Sequence, residues 1–100
     1  MFYFTQLIYI IPGKEADFHA FEQIALPAMA RYGGRLLMRL RPGRTAFIEG
    51  ESEAPYEVHL VSFDDEQGFL AFGKDQDRQQ ALHLKEASVS RSVLIRGQAL

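Results

Sequence analysis

The apolar positions of the chain follow two different periods. Residues 2–10 are rich in aromatic and β-branched side chains on both alternating faces, which predicts a strand covered on both sides. From Lys14 to Tyr32 the apolar residues recur at steps of three and four, as in an amphipathic helix. Glu22 falls on the predicted polar face of this helix. Pro27 lies inside the segment and predicts a kink or a break.

Gly33 and Gly34 come directly after this helical segment. Two glycines tolerate the left-handed backbone that ends a helix, so the chain can turn onto a sheet within two residues. The alternating residues 35–41 then predict a second strand. Residues 44–55 form a long connection with the apolar pair Phe47 and Ile48, which we expect to dock on a partner subunit.

The second half of the chain repeats the change of period. Alternation at residues 56–63 predicts a third strand. Asp64 begins a capping-box pattern for a helix, and Asp75 is predicted to cap another helix that ends near Ala87. Residues 90–97 alternate again and predict the last strand.

The element order is β-α-β-β-α-β, which predicts one ferredoxin-like α+β domain over residues 1–100. Its single antiparallel sheet carries the helices on one face. The cleanest apolar strand faces are expected to meet the helices, and they are Leu36/Met38/Leu40, Val58/Leu60 and Val93/Ile95.

The opposite sheet face is predicted to mix apolar and charged residues. It comprises Tyr3, Leu7, Tyr9, Leu37, Val61, Phe63 and Leu94 alongside Arg39, Glu57, His59 and Arg96. An exposed patch of this kind usually marks an interface. A second copy that packs sheet to sheet would cover it, so we expect a two-fold homodimer.

Composition narrows the function classes. A chain that is 47% hydrophobic and 24% charged is typical of a globular protein. A net charge of −2 disfavours nucleic-acid binding, and the absence of cysteine excludes disulfides and thiolate metal sites. No apolar run is long enough for a membrane span, and the first strand lacks a basic leader. The expected location is therefore the cytoplasm.

One set of residues in the first third of the chain carries a resemblance to a known superfamily. These residues are Pro12-Gly13-Lys14, Phe18, Phe21, Pro27 and Tyr32-Gly33-Gly34-Arg35-Leu36. They resemble the dimeric α+β barrels. Within that superfamily, the chain is most similar to a small bacterial domain-of-unknown-function family, with likeness to NIPSNAP-like and antibiotic-biosynthesis-monooxygenase-like domains.

The resemblance implies a pocket between the helices and the sheet of each subunit, but it implies no single reaction. Relatives include cofactor-free monooxygenases, haem-degrading enzymes, isomerases and proteins without assigned activity. The Asn/Trp/His set of the haem-degrading members cannot be carried over, because this chain has neither Asn nor Trp. We therefore expect no cofactor.

His59 is the first candidate for chemistry. Glu57 lies two residues away on the same strand face and could orient His59 as a general base. Tyr9 would then be a proton donor and Arg39 an anion stabiliser. The alternative is a histidine that is hydrogen-bonded within a dimer interface.

The other two histidines lie on predicted helices. His83 and Lys85 could close the mouth of a pocket, with Lys85 holding an anionic ligand, but a charged helix end is the favoured alternative. His19/Glu22 and His83/Glu86 have i,i+3 spacing, which metal sites use. Ordinary helix surface explains both pairs better, so no metal site is predicted.

Two hypotheses follow. The favoured one is a dimer that binds a small hydrophobic molecule or a partner, without catalysis. The other is a cofactor-independent monooxygenase or isomerase that acts on a small aromatic or polyketide-like substrate. A closed cavity at His59 would favour the second, whereas a site filled by the partner sheet would favour the first.

Overall fold

The computed structural model describes residues 1–100 and has a ferredoxin-like α+β architecture. The elements are β1 (Phe2–Ile10), α1 (Glu15–Ala28), a 3₁₀ turn (Met29–Tyr32), β2 (Gly34–Leu40), a 3₁₀ turn (Arg44–Ala46), β3 (Glu57–Phe63), α2 (Glu66–Gly73), α3 (Gln76–Ser88) and β4 (Val89–Gly97). The strands form one antiparallel sheet in the order β2-β3-β1-β4. This confirms the predicted fold class.

The junction between α1 and β2 forms as the proline and the glycine pair predict. Pro27 lies in the last turn of α1, and after Ala28 the chain tightens into the 3₁₀ turn. Gly33 ends that turn with φ at 77°. A Cβ on Gly34 would lie 2.7 Å from the ring of Phe63, so only glycine fits beneath this core side chain.

One of the two predicted helix caps is wrong by one residue. The cap of α2 is Asp65, whose side chain accepts a hydrogen bond from the backbone N–H of Gly68 at 2.8 Å. Asp64 instead pairs with Arg35 at 2.9 Å across the start of β2. The predicted cap of α3 is confirmed, because Asp75 accepts from the backbone N–H of Arg78 at 2.9 Å.

The predicted sheet faces are correct for β1 and for Leu36 of β2, but wrong for the rest of β2 and for β3 and β4. Phe4 and Ile8 of β1 are buried towards the helices, as expected. On β3, however, the helix side carries the buried alternate residues, Glu57, His59, Val61 and Phe63. The pairing register then places Met38, Leu40, Val58, Leu60, Val93 and Ile95 on the outer face.

A β-bulge contributes to this reversal. The register between β2 and β3 shifts between Leu36 and Met38, so the alternation along β2 changes phase there. After the bulge, Arg39 lies opposite His59 on the helix side. The apolar faces of β3 and β4 lie outside because the helix side holds a charged network, while the outer face is largely apolar.

Two apolar clusters hold the helices to the sheet and to each other. Phe4, Met29, Val61 and Phe63 form the first, and the ring of Phe69 stacks on Phe4 with centroids 4.2 Å apart. The second lies between α1 and α3 and comprises Phe21, Ala25 and Ala81. None of the helices is long and apolar enough to cross a membrane.

Candidate functional site

Three titratable side chains meet between α1 and β3. The Nε2 atom of His59 lies 2.5 Å from Oε2 of Glu57 and 3.1 Å from Oε2 of Glu22. At most 5% of each of these residues is exposed. One imidazole nitrogen therefore serves two buried carboxylates.

Local structure explains why these side chains converge. The alternation of β3 turns Glu57 and His59 to the same side. Glu22 lies four residues after Phe18 and three before Ala25, so it shares the buried stripe of α1. The sequence-based prediction that placed Glu22 on the polar face of the helix is therefore wrong.

Two arginines at the end of the edge strand compensate the carboxylates, Arg39 in β2 and Arg41 directly after it. Arg39 donates from Nη2 to Glu22 at 2.8 Å and from Nε to Glu57 at 3.3 Å. Arg41 donates from Nε to Glu57 at 2.7 Å. Both arginine side chains are more than a third exposed, so the network has a buried acidic centre and a partly solvated basic rim.

The network separates the pKa values of its members. Burial alone would raise the pKa of Glu57, but hydrogen bonds with His59, Glu22 and Arg41 outweigh burial and lower this pKa far below its usual range. Burial raises the pKa of Glu22. Burial would lower the pKa of His59, yet its bonds to the two carboxylates raise it above the usual value. The proton therefore resides preferentially on the imidazole.

A cavity of about 310 Å³ lies beside this network, between the helices and the sheet. Of its 21 lining residues, 14 are hydrophobic, among them six phenylalanines. The polar side chains that line it are Gln6, Glu22, His59, Arg78, Lys85 and Ser92. The space is thus mostly apolar, with a few polar groups on its walls.

The second ring nitrogen of His59, Nδ1, lies outside the hydrogen-bond network. Both hydrogen bonds of His59 use Nε2, and Nδ1 has no partner in the chain. No fully buried polar side-chain atom lacks a partner, so Nδ1 is accessible. Because His59 lines the cavity, we place Nδ1 at the cavity wall. An imidazole held this way at Nε2 can exchange a proton at Nδ1.

The structure brings together only some of the predicted site residues. His59, Glu57 and Arg39 are in one network, although Arg39 does not line the cavity. Tyr9 lies on the other side of the sheet, beneath the guanidinium of Arg91 at 3.9 Å from the ring centroid. Ile8 faces the helices, and the next residue of a strand points to the opposite face, so Tyr9 points away from His59. The proposed convergence of Tyr9 with His59 is therefore wrong.

The structure also separates His83 from Lys85, the predicted ligand-binding pair. Lys85 lines the cavity, whereas His83 is exposed on α3 and bonds through Nδ1 to the carbonyl of Gln80 at 3.0 Å. His83 lies in a shallow groove between α1 and α3 instead.

The i,i+3 pair of α1 does not form a site. The Nε2 atom of His19 lies 2.6 Å from the hydroxyl of Tyr56, while Glu22 turns inward to His59.

The three groups that could hold a metal are Glu22, Glu57 and His59, whose ligand atoms lie within 4.8 Å of one another. Ligands of one tetrahedral zinc ion are about 3.3 Å apart, given bonds of about 2.0–2.1 Å. The 2.5 Å contact between His59 and Glu57 is a hydrogen bond and would have to open for an ion to enter.

Arg41 and Arg78 also belong to the site and were not among the predicted site residues. Arg39 and Arg41 are two residues apart in the sequence, which places both on one face of an extended segment, but the sequence does not indicate their partners. Arg78 lies seven residues before Lys85, which puts both on one face of α3. This seven-residue spacing was the signal in the sequence that could have identified Arg78.

Several solved structures share this fold. A protein of unknown function from Rhodopseudomonas palustris is 19% identical over 99% of this chain and 82% of its own, with a TM-score of 0.84. An uncharacterised NIPSNAP domain protein from Burkholderia xenovorans is 16% identical over 100% and 95%, with a TM-score of 0.70. A putative antibiotic biosynthesis monooxygenase from Nitrosomonas europaea is 10% identical over 100% and 99%, with a TM-score of 0.73.

Identities this low establish the fold alone. No curated protein matches the sequence. The family is established by sequence instead, since residues 9–98 match the model of the domain of unknown function DUF1330. The chain therefore belongs to the DUF1330 family, and it shares its fold with NIPSNAP-like and monooxygenase-like proteins.

Proposed function

We propose that this DUF1330 domain binds a small, predominantly apolar molecule between its helices and its sheet. The observation that carries the proposal is the cavity of about 310 Å³ with its mostly hydrophobic lining. Ligand sites typically combine such a lining with a few polar groups that fix orientation. Leu70 and Leu94 line the cavity yet are 56% and 51% exposed, which gives the ligand an apolar entrance.

A neutral fluorescent probe tests this proposal. Phenylnaphthylamine fluoresces more strongly in apolar surroundings, so titration into the protein should give a saturable increase. Ser92→Phe places a ring in the cavity from an exposed strand position and should abolish most of the signal. Ser52→Phe makes the same change in an exposed loop and should leave the signal unchanged.

The proposal is wrong if the probe does not saturate, or if both phenylalanine variants bind it as well as the unsubstituted protein does. Thermal unfolding of each variant separates a blocked cavity from a damaged fold.

One further observation favours proton transfer as a second candidate function. The Nδ1 atom of His59 reaches the cavity wall, while two carboxylates hold Nε2. A neutral His59 could take a proton from carbon next to a carbonyl group and return it to another atom, as an isomerase requires. Glu57 and Glu22 would position the imidazole and stabilise its protonated form.

We also propose that two copies associate through the outer faces of their sheets. Apolar side chains that remain exposed on this face include Met38, Leu40 and Ile95, at 46%, 39% and 54%. Ile48, in the loop before β3, is 95% exposed. A continuous apolar surface of this kind favours burial against a second copy, and a two-fold axis would match the patch to itself.

Adjacent residues on β4 provide a matched pair for testing assembly. Ile95→Glu introduces charge on the outer face, and Leu94→Glu introduces the same charge on the helix side. In sedimentation velocity at micromolar concentration, we expect a dimer for the unsubstituted chain and for Leu94→Glu, but a monomer for Ile95→Glu. A monomeric unsubstituted chain would contradict the proposal.

A further inference from the structure

Two basic side chains of α3 line the cavity without a carboxylate partner. They are Arg78 and Lys85, and neither forms a salt bridge in the structure. By contrast, Arg31, Arg35, Arg39, Arg41 and Arg96 all pair with carboxylates. Lys14, Arg44, Lys74 and Arg91 form no salt bridge either, but of the basic residues without one only Arg78 and Lys85 line the cavity.

The surroundings of Arg78 explain how it is held there. Its guanidinium lies 5.2 Å from the ring centroid of Phe72 and 5.9 Å from that of Phe21. Its Nη1 donates to the carbonyl of Gly73 at 3.3 Å. The carboxylate of Asp75 accepts from the Tyr32 hydroxyl, Arg31 and the backbone of Arg78, but not from the Arg78 side chain. Most of the five N–H groups of Arg78 therefore remain available.

Lys85 makes no side-chain hydrogen bond or salt bridge at all, although it is half-buried at the cavity wall. Burial lowers the pKa of both Lys85 and Arg78, so their charges are held at a cost in desolvation. A ligand that brings a negative charge would remove much of this cost. A purely neutral ligand would increase the desolvation cost, because it would displace water from the two charged groups.

From this arrangement we infer that the bound molecule is an amphipathic anion, an apolar body that carries a carboxylate between Arg78 and Lys85. The inference rests on the proposed binding function and specifies its ligand class. The phenylalanine-rich part of the cavity takes the apolar body. His59 and Glu22, from β3 and α1, belong to a different wall from the two cations of α3. The charged end and the imidazole would thus contact different parts of one ligand.

Naphthoate and naphthamide test the inference, because they share a fused ring and differ in charge. By calorimetric titration, we expect naphthoate to bind about tenfold tighter than naphthamide, which corresponds to about 1.4 kcal/mol. Lys85→Met and Arg78→Met should each remove most of this preference. Lys74→Met, at an exposed lysine outside the cavity, should retain the preference.

The outcomes separate the two proposals. Equal binding of naphthoate and naphthamide by the unsubstituted protein would overturn the anion inference and leave apolar binding intact. Failure to bind naphthamide, naphthoate and phenylnaphthylamine would overturn both. If a methionine variant unfolds at a lower temperature, Lys85→Gln gives a second measurement, since it keeps a polar end without the charge. Retention of the full preference in Lys85→Gln and Arg78→Met would also overturn the inference.

Discussion

Replacing Glu57 by alanine is expected to lower the free energy of unfolding by about 3–5 kcal/mol, the usual cost of breaking a buried ion pair on one side. Glu57 is fully buried and contacts His59, Arg39 and Arg41. Its removal leaves the imidazole with Glu22 alone and opens a void in the sheet. Urea denaturation monitored by circular dichroism measures the effect.

A surface glutamate provides the control for this change. Glu66 pairs with Arg96 at 3.3 Å but is 56% exposed. Glu66→Ala should therefore cost less than about 1 kcal/mol. If Glu57→Ala is no more costly than Glu66→Ala, the buried network does not stabilise the fold as its geometry implies.

The sequence was sufficient to predict the element order because each change of period has a local cause. Gly33 and Gly34 end one helical segment, and Asp75 begins another. The predicted bounds of the strands differ from the observed ones by at most one residue, and β1 is identical. Backbone chemistry of single residues decides these boundaries, so they can be predicted without knowledge of the neighbouring elements.

The orientation of the strands could not be predicted in the same way. Val58 and Leu60 are apolar, yet they lie on the outer face, while Glu57 and His59 face the helices. The preference of Glu57 for the inside depends on Arg39 and Arg41, which are distant in sequence. In addition, the bulge after Leu36 changes the phase of β2 without a glycine or proline to mark it.

The candidate site shows a similar division between local and long-range information. His59 and Glu57 were predictable as a pair because two residues on one strand share a face. Glu22 was not, because a glutamate within an amphipathic helix is usually solvated. Its position between Phe18 and Ala25 in the buried stripe was the only local signal. Its partner, His59, is 37 residues away and becomes adjacent only in the folded chain.

The arrangement of charges around His59 has a chemical consequence. Both carboxylates act on Nε2, so deprotonation to the neutral imidazole frees Nδ1, at the cavity, as the acceptor. The raised pKa makes this nitrogen a stronger base than an isolated histidine. Hydrogen bonds with His59, Glu22 and Arg41 lower the pKa of Glu57 and keep this carboxylate ionised, which preserves the arrangement across the neutral pH range. Through Glu57, Arg41 thereby influences the Nδ1 atom of His59, which it does not contact.

If His59 acts as a base on bound ligands, its replacement should slow proton exchange by about 10²–10⁴-fold. Acetonaphthone, an apolar ketone, provides the probe. In deuterated water, His59 would take a proton from the methyl group through Nδ1, and the resulting enolate would recover a deuteron. Mass spectrometry follows the label. His59→Gln keeps a hydrogen-bond donor for Glu22 and Glu57 but provides no base.

His19→Gln is the matched control, because His19 bonds to Tyr56 and does not line the cavity, so this variant should exchange at the unsubstituted rate. The pH dependence gives a second criterion. Only neutral His59 accepts a proton, so the rate should rise with pH and level off above the raised pKa of His59. Glu22→Gln removes one of the two carboxylates that raise this pKa, so it should move the profile to lower pH. Exchange no faster than in buffer, or equal exchange by His59→Gln and His19→Gln, would exclude proton transfer at this site and leave ligand binding as its role.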